Sequence, residues 1–333
     1  MRRLRHCVPP ALALYFLSPV VGELLSGSAP PTEFFTPFGF IIIALLYGGG
    51  AIVCRELKIR WRKGLASLLL LGAAYAVLEE GLMVTSFQNP HWQDLGVLGV
   101  FGRWLGVNWV WAVELSIYHS IVSITVPVML VELAYPDKRG EQWLSHRWFN
   151  IVLGLLLADV IIGLFLFSRS TGFWPPFPQY FFMVFLIAVF VYFAFRLPPD
   201  FARKGTLSMR SPQHYFLLTV FVALSCGFIF WILPNTLKFS LAPLVVILSG
   251  LLVVLGYIRY LLLFDWTGSL PLHQFAIAAG SLVPFAFFSY IQEFDKSRVD
   301  DTTGMALVGT IFLLGLLVMF RSLRTRTRAY LEH

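Results

Sequence analysis

Two adjacent glutamates, Glu79 and Glu80, lie inside one apolar run and His119 lies inside the next, with Glu23 and Glu114 in neighbouring apolar stretches. Carboxylates beside an imidazole are the side chains that take up and return protons, and together they can also ligate a divalent cation. Two like charges side by side cannot both ionise freely, so such a pair can keep one proton and offer both an acid and a base. Helical spacing adds further groups. Tyr75 precedes Glu79 by four residues, Tyr118 follows Glu114 by four, and Ser123 follows His119 by four, so each can share a helix face with its partner. The catalytic candidates are therefore Glu79, Glu80, Glu114 and His119, with Glu23, Tyr75, Tyr118 and Ser123 in support. For a divalent metal such as zinc the candidate ligands are His119, Glu80 and His91, the last reaching in from a loop.

The elements that must position these groups are membrane helices. Of 333 residues, 58% are hydrophobic and only 13% charged, where soluble domains carry about a quarter charged. The solvent is a lipid bilayer, and disorder, a disulfide-stapled module and a nucleic-acid reader are all excluded. Cys7, Cys54 and Cys226 form no Cys-x-x-Cys pair and read as packing residues. A spanning helix needs about 20 apolar residues. Ten runs qualify, at 8–26, 36–54, 64–86, 107–134, 149–168, 176–196, 212–233, 241–264, 270–289 and 304–320, giving an all-α polytopic protein that forms one integral membrane domain. Its polar half is 8–168 and its apolar half 176–320. Each ionisable group at a helix centre costs about 2.5–3.5 kcal/mol on insertion scales, and the first half holds nearly all of them, so function is sought there. At about 1.5 Å per residue, Glu79 and Glu114 both lie about 10 Å below the surface reached by the 87–106 loop. With Glu23 and His119 they are expected to edge one wide, water-filled cavity. Glu79 and Glu80 point about 100° apart on an α-helix and so cannot share one narrow line.

The formal charge of +7 has a topological explanation. With the N-terminus cytoplasmic, that side receives Arg2, Arg3, Arg5, the Arg55–Lys63 cluster, Lys138, Arg139, Arg147 and the later basic turns through Arg328. The other side receives only Arg103, Arg169, Lys238, Lys296 and Arg298. This is the positive-inside pattern and predicts a multi-pass cell-membrane protein with both termini cytoplasmic. No nucleic-acid partner is needed. The basic start, apolar run and Ser-Gly-Ser-Ala also fit a signal peptide, but Glu23 within the run and the prolines Pro30 and Pro31 favour a retained helix. Asp159 reads as a packing partner, while Glu132, Arg55 and Glu56 read as interface anchors. Gly48, Gly49 and Gly50 read as a close helix contact.

No phosphate-binding glycine loop, serine-nucleophile motif or dinucleotide fingerprint occurs. The Leu78-Glu79-Glu80-Gly81 pair, followed in the next helix by Ile117-Tyr118-His119-Ser120, resembles the CPBP (Abi, CAAX-processing) intramembrane protease superfamily and the PrsW proteases. That resemblance implies a glutamate- and histidine-activated water acting on a membrane peptide substrate, with Glu79 and Glu80 matching the glutamate pair and His119 the histidine. Val84 stands where the family pattern has arginine, Leu115 where it has an aromatic, and no later helix carries His-x-x-x-Asn. The same groups also suit a proton- or cation-coupled transporter, or a non-catalytic polar network that holds helices together.

Overall fold

The computed structural model describes residues 8–199, 201, 205–296 and 298–331. Cys7 and the basic residues Arg2, Arg3, Arg5, Arg203 and Lys204 lie outside the described residues. Ten principal helices follow one another: α1 (Pro10–Leu24), α2 (Pro37–Arg60), α3 (Leu65–Met83), α4 (Trp109–Ala134), α5 (His146–Thr171), α6 (Phe177–Arg196), α7 (Pro212–Thr236), α8 (Ala242–Leu261), α9 (Pro271–Phe294) and α10 (Met305–Leu331). Among the described residues the strands amount to one small hairpin, β1 (Arg103–Trp104) against β2 (Val107–Asn108), in the loop before α4.

Nine of the ten expected spans, α2 to α10, are long and apolar enough to cross a bilayer. The exception is α1, which is cut short by a turn and the single helical turn Pro31–Phe34. At 1.5 Å per residue it reaches about 22 Å, less than the roughly 30 Å of hydrocarbon. Local chemistry sets the boundaries. Proline occupies the first turn of α1, α2, α7 and α9, where its missing N–H costs nothing. Asn108, Ser145 and Ser211 cap α4, α5 and α7 by accepting backbone N–H bonds, and Gly172 closes α5 in the left-handed conformation at φ 69°.

Burial divides the helices into a centre and a shell. In α4, 78% of the most apolar window is buried, against 61% in α3, 56% in α2 and 50% in α9; the other spanning helices reach at most 28% and turn their Phe, Leu and Ile to lipid. So α9 joins α2, α3 and α4 at the centre. It meets α1 there, where Gln292 donates to the Ser26 carbonyl at 2.6 Å. Helices α3 and α4 approach closely because Gly72 faces the Ser120 backbone, where an added Cβ would lie 2.7 Å from the Ser120 Cα. The Ser120 hydroxyl donates to the Leu69 carbonyl at 2.6 Å, tying the same two helices.

At the end where α2 finishes, Arg55 and Glu56 are fully buried rather than anchored at an interface, and Glu132 is buried beside them. Arg55 bonds Glu56 at 2.9 Å and lies 3.5 Å from Glu132, which Lys58 reaches at 2.7 Å and Arg139 at 3.5 Å. The guanidinium also donates to the carbonyls of Lys138, Arg139 and Glu141 and stacks 3.6 Å from the Trp143 ring centre. This network pins the α4–α5 connection onto α2. Removing one partner strands buried charge, so Arg55→Met should lower unfolding stability by about 3–5 kcal/mol. Lys138→Ala breaks only the exposed Lys138–Glu141 pair and should cost at most about 1 kcal/mol. Denaturation in detergent micelles followed by near-UV circular dichroism measures both, and equal midpoints for the two variants would contradict the burial argument.

Candidate functional site

The side chains that meet between α1, α2, α3 and α4 do so at four π-helical turns. These are Val20–Leu24 in α1, Ala44–Gly48 in α2, Val77–Met83 in α3 and His119–Thr125 in α4. They carry Glu23, Tyr47, the Glu79–Glu80 pair, and His119 with Ser123 respectively. In each, one extra residue widens the helix, as in the bonds from Val84 N–H to the Glu79 carbonyl and from Leu25 N–H to the Val20 carbonyl, both 2.9 Å and five residues apart. Such turns concentrate at functional sites because they redirect side chains at the expense of regular hydrogen bonding.

The wider turn corrects the expectation that Glu79 and Glu80 must diverge. Both face His119. Glu80 Oε1 lies 3.1 Å from His119 Nε2 and Glu79 Oε2 lies 3.4 Å from Nδ1, so one imidazole is clasped by two consecutive carboxylates. Ser123 Oγ sits 3.0 Å from Nδ1, as the four-residue spacing predicts. The second oxygen of Glu80 accepts a hydrogen bond from Ser86, whose hydroxyl in turn accepts from Trp111 Nε1 at 3.0 Å. Glu23 accepts from the Tyr47 hydroxyl, and the Tyr47, Tyr75 and Tyr118 rings surround the imidazole at centroid distances of 5.9, 6.1 and 5.2 Å. The Tyr118 hydroxyl donates to the Gly22 carbonyl at 2.8 Å, not to Glu114. Glu79 Oε2 and the Tyr75 hydroxyl are buried without a hydrogen bond.

The structure therefore gathers Glu23, Glu79, Glu80, His119, Tyr75, Tyr118 and Ser123, and it leaves out two of the expected residues. His91 is exposed on the loop before β1, and its backbone N–H bonds the Asn89 side chain. Glu114 lies five residues before His119, about 140° round the helix, so it points to the other flank of α4. There it bonds Trp231. Nor is the cluster the open hollow expected from depth alone. Glu79 is 4% exposed, Glu80 8% and His119 2%, and the cavity on the other flank of α4 is lined by Glu114 rather than by these three.

Glu79, Glu80 and His119 each offer a donor atom within 4.8 Å of the others, a spacing from which a cation could be held. Tyr47, Ser86 and Trp111 are site residues that sequence reasoning missed. Tyr47 had a signal, because it begins the Gly48-Gly49-Gly50 run. Gly50 makes room for the Tyr75 ring and Gly22 for the Tyr47 ring, each lying where a Cβ would be. Those glycines seat the tyrosines, whereas Gly48 makes the close helix contact, against the Tyr15 backbone of α1.

No curated protein and no solved structure matches the chain. The resemblance of the Leu78–Ser120 stretch to the CPBP and PrsW proteases is overturned by the family model that does match, which is neither of these. Val84 and Leu115 already broke their pattern, and among the described residues His119 meets glutamates, serine and tyrosines. The matching model covers residues 12–331, and the chain belongs to that uncharacterized membrane protein family.

Proposed function

We propose that this protein is an intramembrane hydrolase whose Glu79, Glu80 and His119 hold a divalent metal such as zinc and activate water against a peptide bond of a membrane-borne substrate. The observation that carries the reading is a charge imbalance in a buried place. Glu23, Glu79 and Glu80 converge on His119, which is the cluster's one cationic side chain among the described residues. Buried carboxylates in such excess need a cation or protons. Two carboxylates and one imidazole are a donor set that zinc accepts, and a catalytic zinc site has three protein ligands and an open position. Metal-bound histidines orient themselves through their other nitrogen. Ser123, 3.0 Å from His119 Nδ1, would supply such an orienting contact if His119 held a metal with the glutamates. A bound metal would supply polarisation of the water and the carbonyl.

The chain's own groups complete the chemistry. With one Glu79 oxygen towards the metal, its other oxygen would act as the base that takes one proton from the attacking water as the water oxygen bonds to the carbonyl carbon. The C–N bond then breaks and that proton passes to the departing nitrogen. The positive-inside distribution of Lys and Arg supports a cell-membrane location with both termini cytoplasmic. A second reading rests on a different observation, the near-continuous run of polar groups from Glu23 and Tyr47 through Glu79, His119 and Glu80 to Ser86 and Trp111. Such a run suits proton movement coupled to transport.

Metal content separates the readings. Wild-type protein dialysed against zinc and then against buffer should retain about one zinc per chain by mass spectrometry of the metal, and Glu80→Gln and His119→Ala should retain at least tenfold less. A metal-free wild type that instead carries a proton flux in liposomes, abolished by Glu80→Gln, would establish the second reading.

Hydrolysis is checked by comparing peptide termini in membranes of cells that express wild type or Glu80→Gln. Wild type should generate new termini within or beside membrane spans that the variant lacks. Identical sets of termini would defeat the proposal. In the wild-type background Gly22→Val should displace the Tyr47 ring, whose hydroxyl donates to Glu23, and lower metal retention.

A further inference from the structure

The opposite flank of α4 faces a cavity of about 370 Å³ between α4, α7, α8 and α9. This volume is within the range of small-molecule sites. Its wall is apolar over most of its area, with Ile117, Val122, Phe230 and Phe285 prominent. Its one acidic side chain is Glu114. That side chain is 9% exposed; one carboxylate oxygen accepts from Trp231 Nε1, and the other, Oε2, is buried without a partner. A carboxylate oxygen left unpaired among apolar side chains is costly, and a ligand that donates to it recovers that loss.

Two features show that the place is built. Trp231 stands on the fifth π-helical turn of the chain, Phe228–Ile232 in α7, so the widened turn again marks a polar side chain in the membrane. Gly250 of α8 makes room for the Phe230 ring beside it. The cavity is also directional. Glu114 is near the start of α4, close to the hairpin loop, and Val122 is eight residues, or about 12 Å, deeper. A polar group at Glu114 with an apolar chain running down past Tyr118 and Val122 would have the orientation of a lipid in the leaflet on the hairpin side. Phe228 and Leu224, half-exposed at the mouth, leave the opening towards lipid.

The geometry points to a binding site for one single-chain amphiphile with a protonated amine, the amine facing the Glu114 carboxylate and the alkyl chain lying along Tyr118, Val122 and Phe285. An amine matches because the cavity wall carries one acidic group and no basic side chain that could pair an anionic head. The site stands apart from the His119 cluster and does not depend on the reading of that cluster.

The experiment is quenching of tryptophan fluorescence in phosphatidylcholine nanodiscs by a spin-labelled dodecylamine, with the component that Trp231→Phe removes taken as the cavity's signal. Wild type should show saturable quenching of that component, at least tenfold weaker in apparent affinity in Glu114→Gln, and at least tenfold weaker for the spin-labelled fatty acid of the same chain length. Ala223→Phe, which fills the cavity from α7 and leaves Glu114 intact, should abolish it. Equal quenching by amine and acid, non-saturable quenching of the kind that partition into lipid gives, or an undiminished signal in Ala223→Phe would each overturn the assignment.

Discussion

A charge or hydrogen-bonding group carried into a bilayer must find its partner within the protein, and that constraint organises this molecule. The buried ionisable groups at its centre meet one another instead of lipid. At the basic end, Arg55, Lys58 and Arg139 surround Glu132, and Glu56 takes Arg55 and Arg60. Nearer the hairpin end, two carboxylates close on the His119 imidazole. The two levels differ in balance. The basic level matches its glutamates with guanidinium and ammonium groups and so reads as a fastening, whereas the histidine level carries more carboxylates than cations and is left wanting a charge.

The imbalance is made possible by backbone geometry. A regular α-helix turns consecutive residues about 100° apart and would have sent Glu79 and Glu80 to different neighbours. The π turn at Val77–Met83 lets both reach one ring, and the matching turns in α1, α2 and α4 bring Glu23, Tyr47 and His119 towards the same point. Each gives up regular helical hydrogen bonding, and close packing accompanies them, with Gly72 against Ser120 and Gly22 beneath the Tyr47 ring. Widened turns in these four helices all carry side chains of the one cluster.

This geometry also marks where sequence reading stops. The membrane class, the spans from α2 onward, and the meeting of Glu79, Glu80, His119 and Glu23 were legible, because burying ionisable groups in lipid leaves a sparse pattern of polar residues within apolar runs. Tyr75 and Ser123 followed from four-residue spacing. What failed depended on rotation about a helix axis and on long-range packing. Glu114 has the same depth as Glu79, but depth says nothing of azimuth, and the side chain belongs to Trp231, more than a hundred residues away in sequence. Arg55, Glu56 and Glu132 looked interfacial because they lie near helix ends. The α4–α5 connection folds back over them and removes them from the surface, which no local pattern signals. The family resemblance failed for a related reason: a glutamate pair and a histidine one helix later are what any buried acid–base cluster on adjacent helices would display.

Helix α4 finally serves two environments at once. His119 looks to α3 and α2, Glu114 looks to α7, and Tyr118 sits between them with its ring edge-on to His119, its hydroxyl on the Gly22 carbonyl and its flank in the wall of the Glu114 cavity. A tyrosine so placed cannot shift towards either side without moving the other. It also packs on Phe285 of α9, so the position of that central helix is transmitted to the same ring. Tyr118 is therefore the side chain that separates the two polar places, and it belongs to the packing of both.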